Sequence, residues 1–249
     1  MSALEGVLLV LAGSFAGFVN SIAGGGSLVT VPLLIFMGLP SAEANGSNRI
    51  ALFIQNIFAV AGYRSKGIYV FPFAIWAAIP AVIGAIIGSK LAADISDQLF
   101  NRILAIVMIL VVCVTIFRPK ITKTTRRLLT KSKILISILV FFFLGIYGGF
   151  IQVGIGFLII ASLTAVHGFD MANTNSIKVF VILCYTLAAV IVFYLEGKIR
   201  WEYGLTLAIG NSVGGWVGSR WSVGRSDHLI RMILLIMVVS LAFKLWFFN

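Results

Sequence analysis

Negative charge is scarce in this chain of 249 residues: Asp and Glu together number 8, against 19 Lys and Arg. None of the acids lies well inside an apolar run. Glu5, Glu43, Asp94, Asp97, Asp170, Glu196, Glu202 and Asp227 all stand at run ends or in loops. Proton relays and sodium sites in membranes normally rely on embedded carboxylates, so their absence argues against both. Cys113 and Cys184, the two cysteines, lie within apolar stretches and read as small buried hydrophobes rather than a disulfide or a metal site. His167 and His228 sit at loop edges without a second imidazole or carboxylate at ligand spacing, so neither metal nor cofactor is expected. Residues 1–6 carry no Lys or Arg, and no cleavable signal is expected. Charge of either sign is only 11%, while 60% of residues are hydrophobic and the mean hydropathy is +1.09. Soluble domains lie near half apolar and a quarter charged. A soluble enzyme, a nucleic-acid-binding module and a disordered regulator are thereby excluded. A membrane-embedded enzyme would need an acid, base, nucleophile or metal cluster within the bundle, and none is visible.

What is present is apolar length. Runs fall at 4–22, 28–39, 44–63, 70–91, 99–117, 134–153, 157–166, 172–194, 201–221 and 229–248. At about 20 residues per crossing, this is enough for roughly eight bilayer crossings. The runs do not alternate apolar with polar residues, which excludes a β-barrel, and helices satisfy their own backbone in lipid. The expected class is all-α, polytopic and membrane-embedded. Residues 118–133 hold Arg118, Lys120, Lys123, Arg126, Arg127, Lys131 and Lys133 and no acid. This basic linker marks a cytoplasmic side, and the formal charge of +11 orients the chain in the membrane rather than recruiting a nucleic acid.

The linker also separates two halves, 1–117 and 134–249, that repeat. Shifted by 130, Gly24, Gly26, Leu28, Leu33, Gly38, Ala42 and Asn45 fall on Gly154, Gly156, Leu158, Leu163, Gly168, Ala172 and Asn175. Gly84, Gly88 and Ser89 meet Gly214, Gly218 and Ser219. Upstream the shift is 132, pairing Gly13, Gly17 and Asn20 with Gly145, Gly149 and Gln152. Internal duplication of this kind is a mark of secondary transporters. The stretch 4–39 would be roughly 54 Å as one helix, too long for a ~30 Å core, and Gly24-Gly25-Gly26 interrupts it. A re-entrant hairpin follows, with a second at Gly154-Ile155-Gly156. Each half then contributes a hairpin and three crossings, which places the halves in opposite orientation. Two parallel four-helix halves are the competing arrangement, since Lys198 and Arg200 would face outward in the first.

Candidate binding residues concentrate at two places. Asn20, Gly24, Gly25, Gly26 and Ser27 bring polar atoms and bare backbone into a greasy stretch, with Gln152, Gly154 and Gly156 matching them. Ser27 is placed as N-cap of the short helix, leaving amides and a positive dipole end for an anion. Glycine serving close helix packing is the competing use. Next, Asn45, Asn48, Arg49 and Asn56 share one helical face, and Gln55 reaches the depth of the glycine turn; Asn175 and Lys178 repeat the pair at its mouth. A cation inside a span needs water or a partner, or else snorkels to the interface. Gly84/Gly88 and Gly214/Gly218, with Gly210 one turn earlier, have the spacing of helix–helix packing. Pro32, Pro72 and Pro80 interrupt helices.

The run Gly17 to Ser27, then Val31-Pro32-Leu33-Leu34, Gly38-Leu39-Pro40, Ala44-Asn45 and Asn48-Arg49, resembles the TauE/SafE sulfite exporter family. Gly148-Gly149-Phe150, Gly154-Ile155-Gly156-Phe157 and Ala172 to Lys178 are similar to its second repeat. The resemblance covers nearly the whole chain. It departs in the single missing glycine of the second turn and in Ser162 at the place of Pro32. It implies an inner-membrane carrier of small sulfur-containing anions such as sulfite, sulfoacetate or related organosulfonates. Uptake, another anion such as thiosulfate or a carboxylate, and an assembly subunit are the rivals; a homo-oligomer is compatible with the sequence.

Overall fold

The computed structural model describes residues 1–68, 71–116 and 131–223, so most of the basic linker and the last apolar run lie outside the described residues. The described chain is helical. The first half gives α1 (Ala3–Ile22), α2 (Ser27–Phe36), α3 (Ser41–Arg64), α4 (Phe71–Asp94) and α5 (Asp97–Ile116). The second gives α6 (Lys131–Phe150), α7 (Ile155–His167), α8 (Met171–Leu195) and α9 (Trp201–Trp221). Each expected apolar run among these residues became one helix. The last three positions of the expected linker, 131–133, open α6, and Lys133 Nζ donates to the Val166 carbonyl at 2.8 Å.

Four helical segments among the described residues are long and apolar enough to cross a membrane: Ala3–Ile22, Pro72–Asp94, Lys133–Phe150 and Met171–Leu195. Helix α3 is not one of them, because Glu43, Asn45, Asn48, Arg49, Gln55 and Asn56 dilute its apolar content. Most of those residues are buried, and the outer faces are the apolar ones. Leu4, Leu8 and Leu11, then Ile79, Ile83 and Ile87, and Leu135, Leu139 and Phe143 are exposed at helical spacing. Polar inside and apolar outside inverts the soluble pattern, and stripes of this extent are stable only against lipid or another apolar surface. Pro72 stands in the first turn of α4, where its missing N–H is an orphan in any residue, whereas Pro32 and Pro80 lie inside α2 and α4.

Helices α3 and α8 lie side by side at the centre. Helix α9 packs on α3 and α4 on α8; α1 then packs on α9, and α6 on α4. Glycine makes both outer seams. A Cβ on Gly214 would lie 2.0 Å from the Ser14 carbonyl oxygen, and one on Gly88 would lie 1.9 Å from that of Ile146. The expected packing role of these glycines therefore holds, and the partner in each case comes from the other half of the chain. Each central helix also holds a loop of the other half. Ser47 Oγ accepts from the Arg200 amide at 2.8 Å, and Ser176 Oγ donates to the Ile68 carbonyl at 3.1 Å. Arg200 also pairs with Glu43 at 2.6 Å, and that hydrogen bond raises its pKa further, so the cation that seemed misplaced has its own carboxylate.

Candidate functional site

Both helix pairs, α1 with α2 and α6 with α7, fold back on themselves at their glycine turns. After Ile22 the chain turns at Ala23–Gly26 and folds back so closely that a Cβ on Gly26 would lie 2.2 Å from the Ala16 carbonyl oxygen. In the second hairpin, His167 at the end of α7 reaches Ser137 near the start of α6, with Nε2 and Oγ 2.6 Å apart. Gly24 adopts φ +83° and Gly154 φ +71°, the left-handed region where a side chain is strained. The two turns meet: a Cβ on Gly24 would lie 2.4 Å from Gly156 Cα, and one on Gly156 would lie 2.2 Å from Gly24 Cα. Only bare backbone fits there.

The short helices begin differently from expectation at one position. Gly26, not Ser27, is the N-cap of α2, and Ser27 enters the helix as its first residue. Three glycines let the chain reach helical φ,ψ one residue early. No side chain caps α2 or α7 among the described residues, and Gly154 is the N-cap of α7.

Each cation reaches across to the hairpin of the other half. Lys178 on α8 donates from Nζ to the carbonyls of Asn20 and Ser21 at the end of α1, both at 3.0 Å, and to Asn175 Oδ1 at 2.9 Å. Arg49 on α3 holds the end of α6. Its Nη1 donates to the Gly148 carbonyl and to Gln152 Oε1, and its Nη2 to the Gly149 carbonyl at 2.8 Å and Asn45 Oδ1 at 3.1 Å. Asn45 Nδ2 in turn donates to the Phe150 carbonyl at 2.8 Å. Helix C-termini carry unsatisfied carbonyls and partial negative charge, so a cation is the matching cap. Neither cation snorkels: both are 0% exposed. Gln152 is the one described non-glycine with positive φ, at 61°. That backbone costs of order 1–3 kcal/mol, and it aims the amide oxygen at Arg49.

The other expected residues are buried but disperse. Asn48 accepts from Thr30 Oγ1 at 2.7 Å, against α2, and its Nδ2 has no partner. Gln55 turns to α9, where Oε1 accepts from Asn211 Nδ2 at 3.2 Å. Asn56 donates to the Leu52 carbonyl one turn back at 2.7 Å. Two tyrosines were not anticipated, because an aromatic within an apolar run gives no signal of its own. Tyr63 Oη donates to the Ser21 carbonyl at 3.1 Å and lies 2.8 Å from Ser222 Oγ. Tyr185 lies against Gly148, whose hypothetical Cβ would be 3.0 Å from the Tyr185 Cζ.

A bundle with bare-backbone turns in contact and a buried cation at each hairpin end suits a carrier more than a packed scaffold. Comparison with known proteins agrees. Residues 9–245 match the family profile described as "Sulfite exporter TauE/SafE". A "Probable membrane transporter protein" of Haemophilus influenzae is 27% identical, over 96% of this chain and 93% of its own length. The "Probable membrane transporter protein ORF9" of a Sinorhizobium species is 24% identical over 95% of this chain and 90% of its own. The "Probable membrane transporter protein YfcA" of Escherichia coli K12 is 25% identical over 97% and 89%. With a match spanning both hairpins and every helix that frames them, the chain belongs to the TauE/SafE sulfite exporter family, a family of membrane transporters rather than enzymes.

Proposed function

We propose that the protein exports a small sulfur-containing anion, such as sulfite, sulfoacetate or a related organosulfonate, across the inner membrane. In this reading 1–117 and 134–249 are opposed repeats joined by a cytoplasmic linker at 118–133, and the anion passes where the two turns meet. The binding set is Asn20, Gly24, Gly25, Gly26, Ser27, Asn45, Asn48, Arg49, Gln55, Asn56, Gln152, Gly154, Gly156, Asn175 and Lys178. Crossed packing of α1 on α9 and α6 on α4 supports the opposed repeats.

One observation carries the reading: Arg49 and Lys178 are buried at the two hairpin ends, and no Asp or Glu is buried among the described residues. The field at the crossing is positive, which selects an anion. Efflux of a monoanion from an inside-negative cell gains about 2.3 kcal/mol per 100 mV, so no coupling ion is required.

Purified protein in sulfite-loaded liposomes, with an inside-negative potassium diffusion potential, tests this. Sulfite or sulfoacetate efflux above protein-free liposomes is expected. Static sulfur anions beside a moving carboxylate would overturn the substrate class, and no anion flux at all would overturn the anion reading.

A further inference from the structure

Arg49 has five N–H donors. Four are taken by Gly148, Gly149, Asn45 and Gln152, and the fifth, on Nε, is buried without a partner. The Tyr185 hydroxyl is buried without a partner too. The two groups belong to one place. Gly148 gives its carbonyl to Arg49 Nη1 and its missing side chain makes room for the Tyr185 ring, and the guanidinium and the phenol are close enough to interact electrostatically. The Phe193 ring covers the guanidinium, with its centroid 5.6 Å from Cζ. Each unsatisfied buried polar group costs about 1–3 kcal/mol, so two around the one residue Gly148 are an expensive arrangement unless a ligand meets them.

We propose that Tyr185 Oη and Arg49 Nε form an oxyanion subsite, in which one oxygen of a sulfite or sulfonate group accepts from Nε and another from the phenol. The proposal deepens the anion-transport reading above and rests on it. Several features favour an oxyanion over a cation or a neutral solute. Arg49 Nε can only donate and the phenol can donate beside it, the four acceptors around the guanidinium are already bonded to its other N–H groups, and no carboxylate is buried among the described residues. The phenol supplies a second donor apart from Nε, which suits an anion that carries more than one oxygen. The subsite is sealed in this structure, so the anion enters when the turn carrying Gln152 and Gly154 moves.

The matched contrast is Tyr63, whose hydroxyl is already bonded to Ser21 and Ser222 beside the Lys178 clasp. The full-length protein is reconstituted as wild type, Tyr185→Phe and Tyr63→Phe. Sulfite affinity is read from concentration-dependent thermal stabilisation and from efflux. Tyr185→Phe is expected to keep or raise the ligand-free melting temperature, since it removes an unpaired hydroxyl, and to weaken sulfite binding roughly ten- to hundredfold. Tyr63→Phe is expected to lower the ligand-free melting temperature and keep sulfite affinity. Equal sulfite affinity in Tyr185→Phe and wild type would overturn the subsite while leaving anion transport standing. A wild-type protein neither stabilised by sulfite, sulfoacetate or thiosulfate nor moving them would overturn the transport reading, and the subsite with it.

Discussion

The end of α1 and the end of α6 are closed by the same chemistry with different completeness. At α1, Lys178 has three donors and three acceptors, and Tyr63 adds a second hydrogen bond to the Ser21 carbonyl. At α6, Arg49 meets four acceptors with five donors, and the nearby Tyr185 hydroxyl bonds to nothing. A compact ammonium fits a pair of helix-end carbonyls and one amide; a guanidinium fork spans more acceptors and leaves an edge over. The saturated end reads as a fixed joint. The unsaturated end, which also carries the strained Gln152, is where a ligand has something to gain.

The largest effect is expected at the contact the two ends share. Gly156→Val puts a side chain on the Gly24 backbone, and loss of monodisperse folded protein on size exclusion in detergent is the expected result. Wild-type elution and melting would break the picture of two joined turns.

Lys178→Met and Arg49→Lys come next and separate the two ends. Lys178→Met leaves the Asn20 carbonyl and the Asn175 amide oxygen without this buried donor and the Ser21 carbonyl with Tyr63 alone, so a loss of about 2–5 kcal/mol of stability is expected. Arg49→Lys keeps the charge but loses the fork and Nε, so its sulfite affinity is expected to fall further than that of Lys178→Met. Melting curves with and without sulfite check both, and the reverse ranking would invert the assignment of joint and site.

Gln152 sharpens the same contrast on a smaller scale. Gln152→Ala and Gln152→Gly both lose the acceptor for Arg49, but only glycine relieves the φ of 61°. The glycine variant is expected to melt higher than the alanine variant, by about 1 kcal/mol in stability.

The smallest effect lies at the helix starts, where α8 has a side-chain cap and α3 has Pro40 without one. Burial alone would raise the Asp170 pKa, but hydrogen bonds from Asn173 and Ala172 outweigh it and hold the carboxyl below its ordinary value. Asp170→Ala is expected to cost about 1 kcal/mol at neutral pH. Because the folded-state pKa is lowered, this contribution is complete above the ordinary Asp value near 4. It fades as pH falls through the lowered pKa. Wild-type and variant melting temperatures therefore converge in acid, and a gap that persists there would point to packing instead.

Much of this was legible before any coordinates. Leu4 to Leu39 was too long and too glycine-rich for one span, and it divides at the glycines into α1 and α2. The stripe of Asn45, Asn48, Arg49 and Asn56 announced a buried polar face through its period, and all four are buried. Other features were not legible. Gly26 displaced Ser27 as N-cap because glycine's backbone freedom shifts a boundary by one residue without any pattern to mark it. Gln55 takes its hydrogen bond from Asn211 of the other half, a partner that its level along the helix does not name. Tyr63 and Tyr185 look alike within apolar runs, yet one is bonded twice and the other not at all.

Composition and periodicity settled the solvent, the class of secondary structure and the places where helices must break, because these depend on hydrophobic length and local backbone preference. The choice of partners belonged to the tertiary structure: which helix each glycine seam meets, which carbonyls each cation caps, and which donor is left over. Those outcomes depend on groups far apart in the chain, such as Arg49 and Gly148 or Lys178 and Asn20, coming within about 3 Å of each other, a distance that no local pattern encodes.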